Sequence, residues 1–444
     1  MIARAALGVR VATLLATTFV VGCGDADLWA RYRAERDLWH ARGLARRIEI
    51  APRAARPEDY ADAIEALRAV EEEFPLARWG RPDRLRRPLA RDVATVSGDA
   101  LLAIGRLEVT RKRFASALET DHGAAERLDA LPAMRLQAWL AEAAVLDSTG
   151  DSTAAHEVFT RIARTTPPVD PERGKPIPAA IDAPLRVAAD LRARGERARA
   201  DSVLRAAETR FVPEAARHEG RPGDAELWLS VGRLRAAQSG PKSRALDAVR
   251  HAMSQTPSTA TRAKLILTMA EFCRDGGWPD SALAYTSWAA QGFGSPTKAR
   301  AMMLAAQVWE TVDLDSAIAA YGRYADAFHL ADPGVMAARF RRAELLEQRG
   351  RWEEARAEYR NLSTSSATDE LALRSLERIV SHHLRVGEKE MAHIEGKRAL
   401  EAMDHLLTTV QDDETLLRIR QVRASVLRDM EATAPAHPPR NGAR

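Results

Sequence analysis

The sequence predicts an all-α chain of stacked helical hairpins, and three observations carry that expectation. From Leu28 to about Glu431 apolar residues return every three or four positions, broken by short Gly, Pro or Asp turns, and no segment alternates at the period of a strand. Composition agrees: 46% of residues are hydrophobic and 29% charged, aromatics are only 5%, and Ala, Arg, Leu and Glu, which lose least on entering a helix, dominate. Small residues also pair at a fixed spacing of twelve: Gly105 with Ala117, Ala143 with Ala155, Ala188 with Ala200, Ala270 with Ala282, Ala305 with Ala317, and Ala343 with Ala355. Two helices of a hairpin approach closely only where side chains are small, so the spacing measures a helix end, its turn and the return path. A length of 444 residues exceeds one compact core, which favours an elongated repeat array.

Taken in order, the chain opens with a leader. Arg4 and Arg10 precede an uncharged apolar run from Val11 to Val21, too short to span a bilayer comfortably, and a small residue then precedes Cys23. The ending Val20-Val21-Gly22-Cys23 resembles the lipobox of bacterial lipoproteins. That resemblance implies a signal peptide at 1–22 that is cleaved, a diacylglyceryl group on the sulfur of Cys23, and a lipidated N-terminus at 23–27. An ordinary signal peptide or an N-terminal membrane anchor is the other reading. Gly24 follows the cysteine and Asp25 comes one later, which favours the periplasmic face of the outer membrane within the cell envelope. The formal charge of +4, less the leader's Arg4 and Arg10, is +2, too little to predict a nucleic-acid partner.

Residues 28–431 read as the repeat array. Its first hairpin pairs Leu28 to Arg47 with Tyr60 to Phe74, and Pro/Gly-rich insertions at 75–91, 166–184 and 212–225 are the expected places for a bend or break. The tail at 432–444 reads as disordered. One repeat runs Trp139, Ala143, Leu146, Ala155, Phe159, Pro167, another Trp228, Val231, Gly232, Ala245, Val249, Pro257, and a third Ala343, Leu346, Gly350, Ala355, Tyr359. These resemble the tetratricopeptide family, with Glu142 departing from its usual leucine. The second-helix alanines at 117, 155, 200, 245, 282, 317, 355 and 392 step by 35 to 45 residues, slightly above the family period. The resemblance implies a right-handed α-solenoid of about eight or nine hairpins. A non-repetitive helical bundle is the alternative.

Chemistry is sparse. No HExxH, Walker loop, nucleophile elbow or dinucleotide fingerprint occurs, and no enzyme, cofactor or metal is expected. The SxxK strings at Ser239 to Lys242 and Ser295 to Lys298 lie at turns and read as helix caps. His382, His383 and His393 are the only histidine concentration, and neighbours on a helix point apart, against a metal site. Cys273 sits in an apolar-periodic stretch and reads as a buried small hydrophobe. The arginine-rich loop from Arg78 to Arg91 reads as a solvated turn, with contact to anionic lipid headgroups as the alternative.

In the tetratricopeptide family the first helices line a groove. Placing each small residue on the helix–helix contact turns Leu140, Leu267, Met302, Trp309 and Phe340 toward it, as candidate partner-binding residues. The positions of the family's carboxylate clamp hold Leu140 with Ala144, Leu267 with Glu271, Met302 with Ala306 and Phe340 with Glu344, against binding of acidic C-termini. An apolar groove would take a helix or extended peptide of an envelope protein. The expected function is a membrane-anchored protein-binding scaffold, with a non-catalytic activator of a peptidoglycan-active or assembly enzyme as the alternative. A solute-binding protein would need an α/β alternation that is missing.

Overall fold

A computed structural model describes residues 26–431 apart from 53, 171–173, 256, 330–331 and 366. The leader at 1–22, Cys23 and the tail at 432–444 lie outside the described residues. Among those described there are helices, and one isolated bridge between Val169 and Pro176. The chain divides into two compact units at Gly240–Pro241.

The first unit holds α1 (Ala26–Ile50), α2 (Pro57–Glu73), the short α3 (Leu76–Trp79) and α4 (Pro82–Leu85), α5 (Pro88–Thr110), α6 (Phe114–Arg127), α7 (Pro132–Thr149), α8 (Ser152–Thr165), α9 (Pro178–Ala193), α10 (Arg197–Arg217) and α11 (Asp224–Ala237). The second holds α12 (Ser243–Ser254), α13 (Thr259–Asp275), α14 (Pro279–Gly292), α15 (Ser295–Val312), α16 (Leu314–Ala327), α17 (Pro333–Gln348), α18 (Trp352–Ser365), α19 (Glu370–Arg385), α20 (Lys389–Thr409) and α21 (Asp413–Glu431). Within each unit the long helices pack on their sequence neighbours, and the alternate helices that also meet are first helices: α5 with α7, α9 with α11, α13 with α15, α17 with α19, and α19 with α21. Each unit is therefore a solenoid of helical hairpins whose first helices stand side by side.

The hairpin turn explains the sequence spacing. At six turns the N–H of Arg113, Asp151, Glu196, Trp278, Arg351 or Glu388 donates to the carbonyl five residues back, at 2.8–3.0 Å. This is the long bond of a Schellman motif, and it requires a left-handed residue just before the donor. Gly150, Gly195, Gly277, Gly350 and Gly387 supply it at φ 75 to 83°, and Lys112 takes the same place at φ 59°. Four residues after each donor, the N–H of Ala117, Ala155, Ala200, Ala282, Ala355 or Ala392 reaches back to that donor's carbonyl, which starts the second helix. Every one of these alanines is buried against the partner helix.

The α15–α16 hairpin departs from the rule. Between α15 and α16 no glycine intervenes: the Asp313 N–H donates only four residues back, to Trp309, while its carboxylate caps the Ser316 N–H at 2.9 Å. The turn is one residue shorter, so the small residue opposite Ala317 lies eleven back. Ala306 is fully buried there and Ala305 is half-buried, which corrects the Ala305–Ala317 pairing.

The three insertions do not separate hairpins. At 75–91 the short helices bury Leu76, Trp79 and Leu85 and pack on α5. At 166–184 the bridged loop delivers Pro178 to the first turn of α9, where a missing N–H costs nothing, and α8 packs on α9. At 212–225 α10 runs through Pro213 to Arg217 and packs on α11. The division falls instead at Gly240–Pro241, inside the stretch from Trp228 to Pro257 that the sequence matched as one repeat.

A buried carboxyl sits under the α5–α6 contact. A Cβ added at Gly105 would stand 2.1 Å from Asp121 Oδ1, so only glycine admits the carboxyl there. Neither Asp121 oxygen has a hydrogen-bond partner. Burial first, and the neighbouring Glu142 second, push this carboxyl up to about 7 against the opposing pull of Arg106. His122, the next residue, bonds Glu142 at 3.2 Å.

Two tests follow from the packing. Lys112→Gly should raise stability by about 0.5–1 kcal/mol, because the left-handed backbone strains a residue with a Cβ more than glycine's extra unfolded-state freedom costs; unchanged or lower denaturant midpoint would count against the turn geometry. Since folding raises the Asp121 pKa, its contribution is fully present below the ordinary carboxylate range and is lost as pH rises through about 7. Asp121→Asn should thus be more stable than the parent above pH 7, by on the order of 1–3 kcal/mol, with the gap closing in acid. Parallel pH profiles for the two proteins would contradict this placement of the carboxyl.

Candidate functional site

The side-by-side first helices offer one continuous face in each unit. Counting from the buried small residue of a first helix, the positions two before, one after and four after share a side at helical spacing. In the first unit Asp147 on α7 meets Arg186 on α9 at 3.0 Å, and Asp182 on α9 meets Arg233 on α11 at 3.2 Å. In the second, Arg300 on α15 approaches Glu271 on α13 at 3.5 Å, and Arg274 on α13 donates to Gln307 on α15 at 2.8 Å. Glu310 on α15 takes Arg341 on α17 at 2.6 Å, Glu344 on α17 takes Arg378 on α19 at 3.0 Å, and Glu347 on α17 takes both His382 and Arg385 on α19. The face is a ladder of ion pairs running from helix to helix.

Its centre is the tightest rung. Burial opposes the charge on Glu310, but the hydrogen bonds from Arg341 and from the Tyr321 hydroxyl outweigh it and hold the carboxylate below its ordinary range. The same contact holds Arg341 above its ordinary value, through Glu310 first, while burial and then Glu310 raise the Tyr321 hydroxyl. At the end of the ladder His382 lies flat on Trp352, 3.4 Å between ring centres and 2° between planes.

The apolar groove is corrected by this geometry. Leu267 and Phe340 are interior, 4% and 5% exposed, although Leu140 at the matching position of α7 is not. Phe340 meets Tyr359 edge-on at 5.6 Å, and the Arg374 guanidinium covers it at 5.4 Å. Met302 and Trp309 are half-buried against the same apolar cluster as Phe340, so the three do come together, but as the core of the second unit. Leu140 alone of the five stands at the surface. The carboxylate clamp positions hold the same residues as in the sequence, and Glu271 and Glu344 there are committed to arginines.

Other candidates are used structurally. His383 is buried and bonds Glu388 at 2.7 Å, His382 bonds Glu347, and His393 is exposed on α20, so the three face different neighbours. No group of three metal-ligating side chains clusters among the described residues. Ser239 and Ser295 do not cap: Lys242 and Gly294 hold the N-cap positions of α12 and α15 without side-chain cap bonds. Cys273 is fully buried, and burial raises its thiol. In the first unit the loops at 75–91 and 166–184 meet in a cleft of about 450 Å³ floored by Leu131, Met134 and Trp139. No helix among the described residues is long and apolar enough to cross a membrane.

The ladder's register was available in the sequence once the small residues were placed. An acid four after the small residue and an arginine two before the next recur at Asp147 with Arg186, and at Glu310 with Arg341 once Ala306 takes the place of Ala305. Reading the groove one residue further round, as Leu267 and Phe340, rotated the view by about 100°.

No protein-family model matches the chain, and no curated protein matches it in sequence. Among solved structures, the C-terminal part of a TPR repeat-containing protein from Cytophaga hutchinsonii is similar over 62% of this chain and 97% of its own, at 13% identity and a TM-score of 0.33. A human IFIT1 dimer with PPP-AAAA is similar over 92% of this chain and 94% of its own, at 11% identity and a TM-score of 0.41. At such scores neither likeness adds weight, and the all-α hairpin fold stands on this chain's own helices and turns.

Proposed function

We propose that this chain is a lipid-anchored scaffold of the bacterial cell envelope, held by Cys23 at the periplasmic face of the outer membrane, which binds a partner protein on the first-helix face of its second unit. The observation that carries the reading is the row of guanidiniums on that face. Arg300, Arg341, Arg378 and Arg385 are each at least 40% exposed at the side chain, although each is oriented by a carboxylate of the neighbouring helix. Such charges are fixed in place yet still open to solvent, which suits steering and register of a partner carrying acidic groups more than it suits adhesion to an apolar helix. The leader and Cys23 support the anchor, and no catalytic step enters this role.

Two measurements test the two halves separately. Metabolic labelling with a palmitate analogue should mark the parent and leave Cys23→Ser unlabelled; persistent label would remove the anchor. Arg300→Glu with Arg385→Glu, the most exposed pair, should cut recovery of the crosslinked partner from native membranes by about tenfold, with helicity unchanged. Full recovery by the folded variant would take the binding surface away from this face.

A further inference from the structure

The face of α1 turned away from the core is rich in exposed aromatic and basic side chains. Leu28, Trp29, Tyr32, Trp39 and Ile50 are each between 46% and 75% exposed on this one helix. They recur at helical spacing opposite the buried row Ala34, Leu38, Ala41, Ala45 and Ile48, and so form an outward stripe about 30 Å long. Trp29 and Tyr32 touch edge-on, with ring centres 6.3 Å apart. Between and beside these side chains stand Arg33, Arg36, His40, Arg46 and Arg47, all exposed.

The acids within reach are each taken up by a neighbour: Glu35, one turn from both Tyr32 and Trp39, is held by Arg31, and Glu73 of α2 holds Arg33 at the stripe's edge. Asp27 is buried and bound to Arg87 at 3.0 Å, and half-buried Asp37 takes Arg36 from the opposite flank. Glu49 lies toward α5, in a cleft of about 480 Å³ beside Trp39 whose other polar walls are Arg42, Arg46 and Arg106. The Arg87–Asp27 pair also sets the α3–α5 turn against the start of α1, adding exposed Arg78 and Arg86 to the same end, beside Arg81 paired with Asp83.

We propose that this face docks on the surface of an anionic phospholipid bilayer. Tryptophan and tyrosine settle at the headgroup level, where an apolar ring and a polar edge are both satisfied, and arginines among them reach phosphates while their stems stay in the interface. No described helix can cross the bilayer, so α1 lies along it. The proposal rests on the Cys23 reading only for which membrane is meant: Ala26 comes three positions after that sulfur's residue, at most about 11 Å of chain, so an acyl anchor there would deliver α1 to the interface. A second copy of this chain fits the face poorly. One helix face of about 37 by 10 Å covers roughly half of the ~800 Å² per partner of a stable interface, and two arginine-lined faces repel.

The test uses the chain from Gly24 onward, which keeps every described residue and has no acyl site, so that a failed anchor and a failed docking face give different results. It should float with phosphatidylglycerol-containing vesicles and not with phosphatidylcholine ones, and brominated acyl chains should quench its fluorescence. Trp29→Ser with Trp39→Ser should weaken flotation by at least about tenfold, and so should Arg36→Glu with Arg46→Glu, without loss of helicity because all four side chains are exposed. Equal flotation with both vesicles, or flotation undiminished in both variants, overturns the proposal. Self-association without vesicle binding also overturns it, by giving the face to a second copy.

Discussion

Both units depend on a turn that must reverse the chain within three residues and still let two helices touch. The left-handed residue closes the first helix, the bond five residues back locks it, and the buried alanine four residues on sets the distance between helix axes. Each part fails without the others: a side chain at the left-handed residue strains the turn, and a larger residue at the alanine pushes the hairpin open. Because the next hairpin packs on the same two helices, its first helix inherits that distance. The ion-pair ladder is a consequence, since guanidinium and carboxylate can span neighbouring first helices only at a repeating separation.

This dependence also decides what could be read in advance. The spacing of twelve in five hairpins is a local property of the turn, and Gly150, Gly350 and the paired alanines display it directly. The slip at Ala305 was hidden because Ala305 and Ala306 are both alanine, and only the missing glycine before Asp313 distinguishes them. Helix rotation was legible to within one residue, which places Phe340 on the correct helix and on the wrong side of it. The division at Gly240–Pro241 depends on packing between distant segments, and the Trp228 to Pro257 match carried no sign of it. Proline was a weaker signal than expected, since Pro178 starts a helix and Pro213 sits inside one.

Arginine serves two different ends in the two units. On the second unit's first-helix face each guanidinium is tied to a carboxylate of a neighbour, so the charge is oriented and largely balanced. On the outward side of α1 arginines lie among tryptophans, and of the acids there Glu35 is held by Arg31 and Asp37 by Arg36. The first arrangement gives rigidity and selectivity between helices. The second leaves positive potential beside apolar rings, a combination that water solvates poorly and a headgroup layer solvates well. A nearly neutral formal total of +4 conceals this difference entirely.

Cys273 carries one more consequence. Its carbonyl closes the α13–α14 turn by accepting the Trp278 N–H at 2.8 Å, while its thiol is sealed in the interior of α13. Reagents and oxidants reach that sulfur only after the packing around α13 has opened, and the nearest charge to the thiol is Arg250 of α12. The rate at which the thiol reacts is therefore a clock for local opening around α13, and its comparison with the rate of global unfolding tells whether this part of the second unit opens alone or only with the rest.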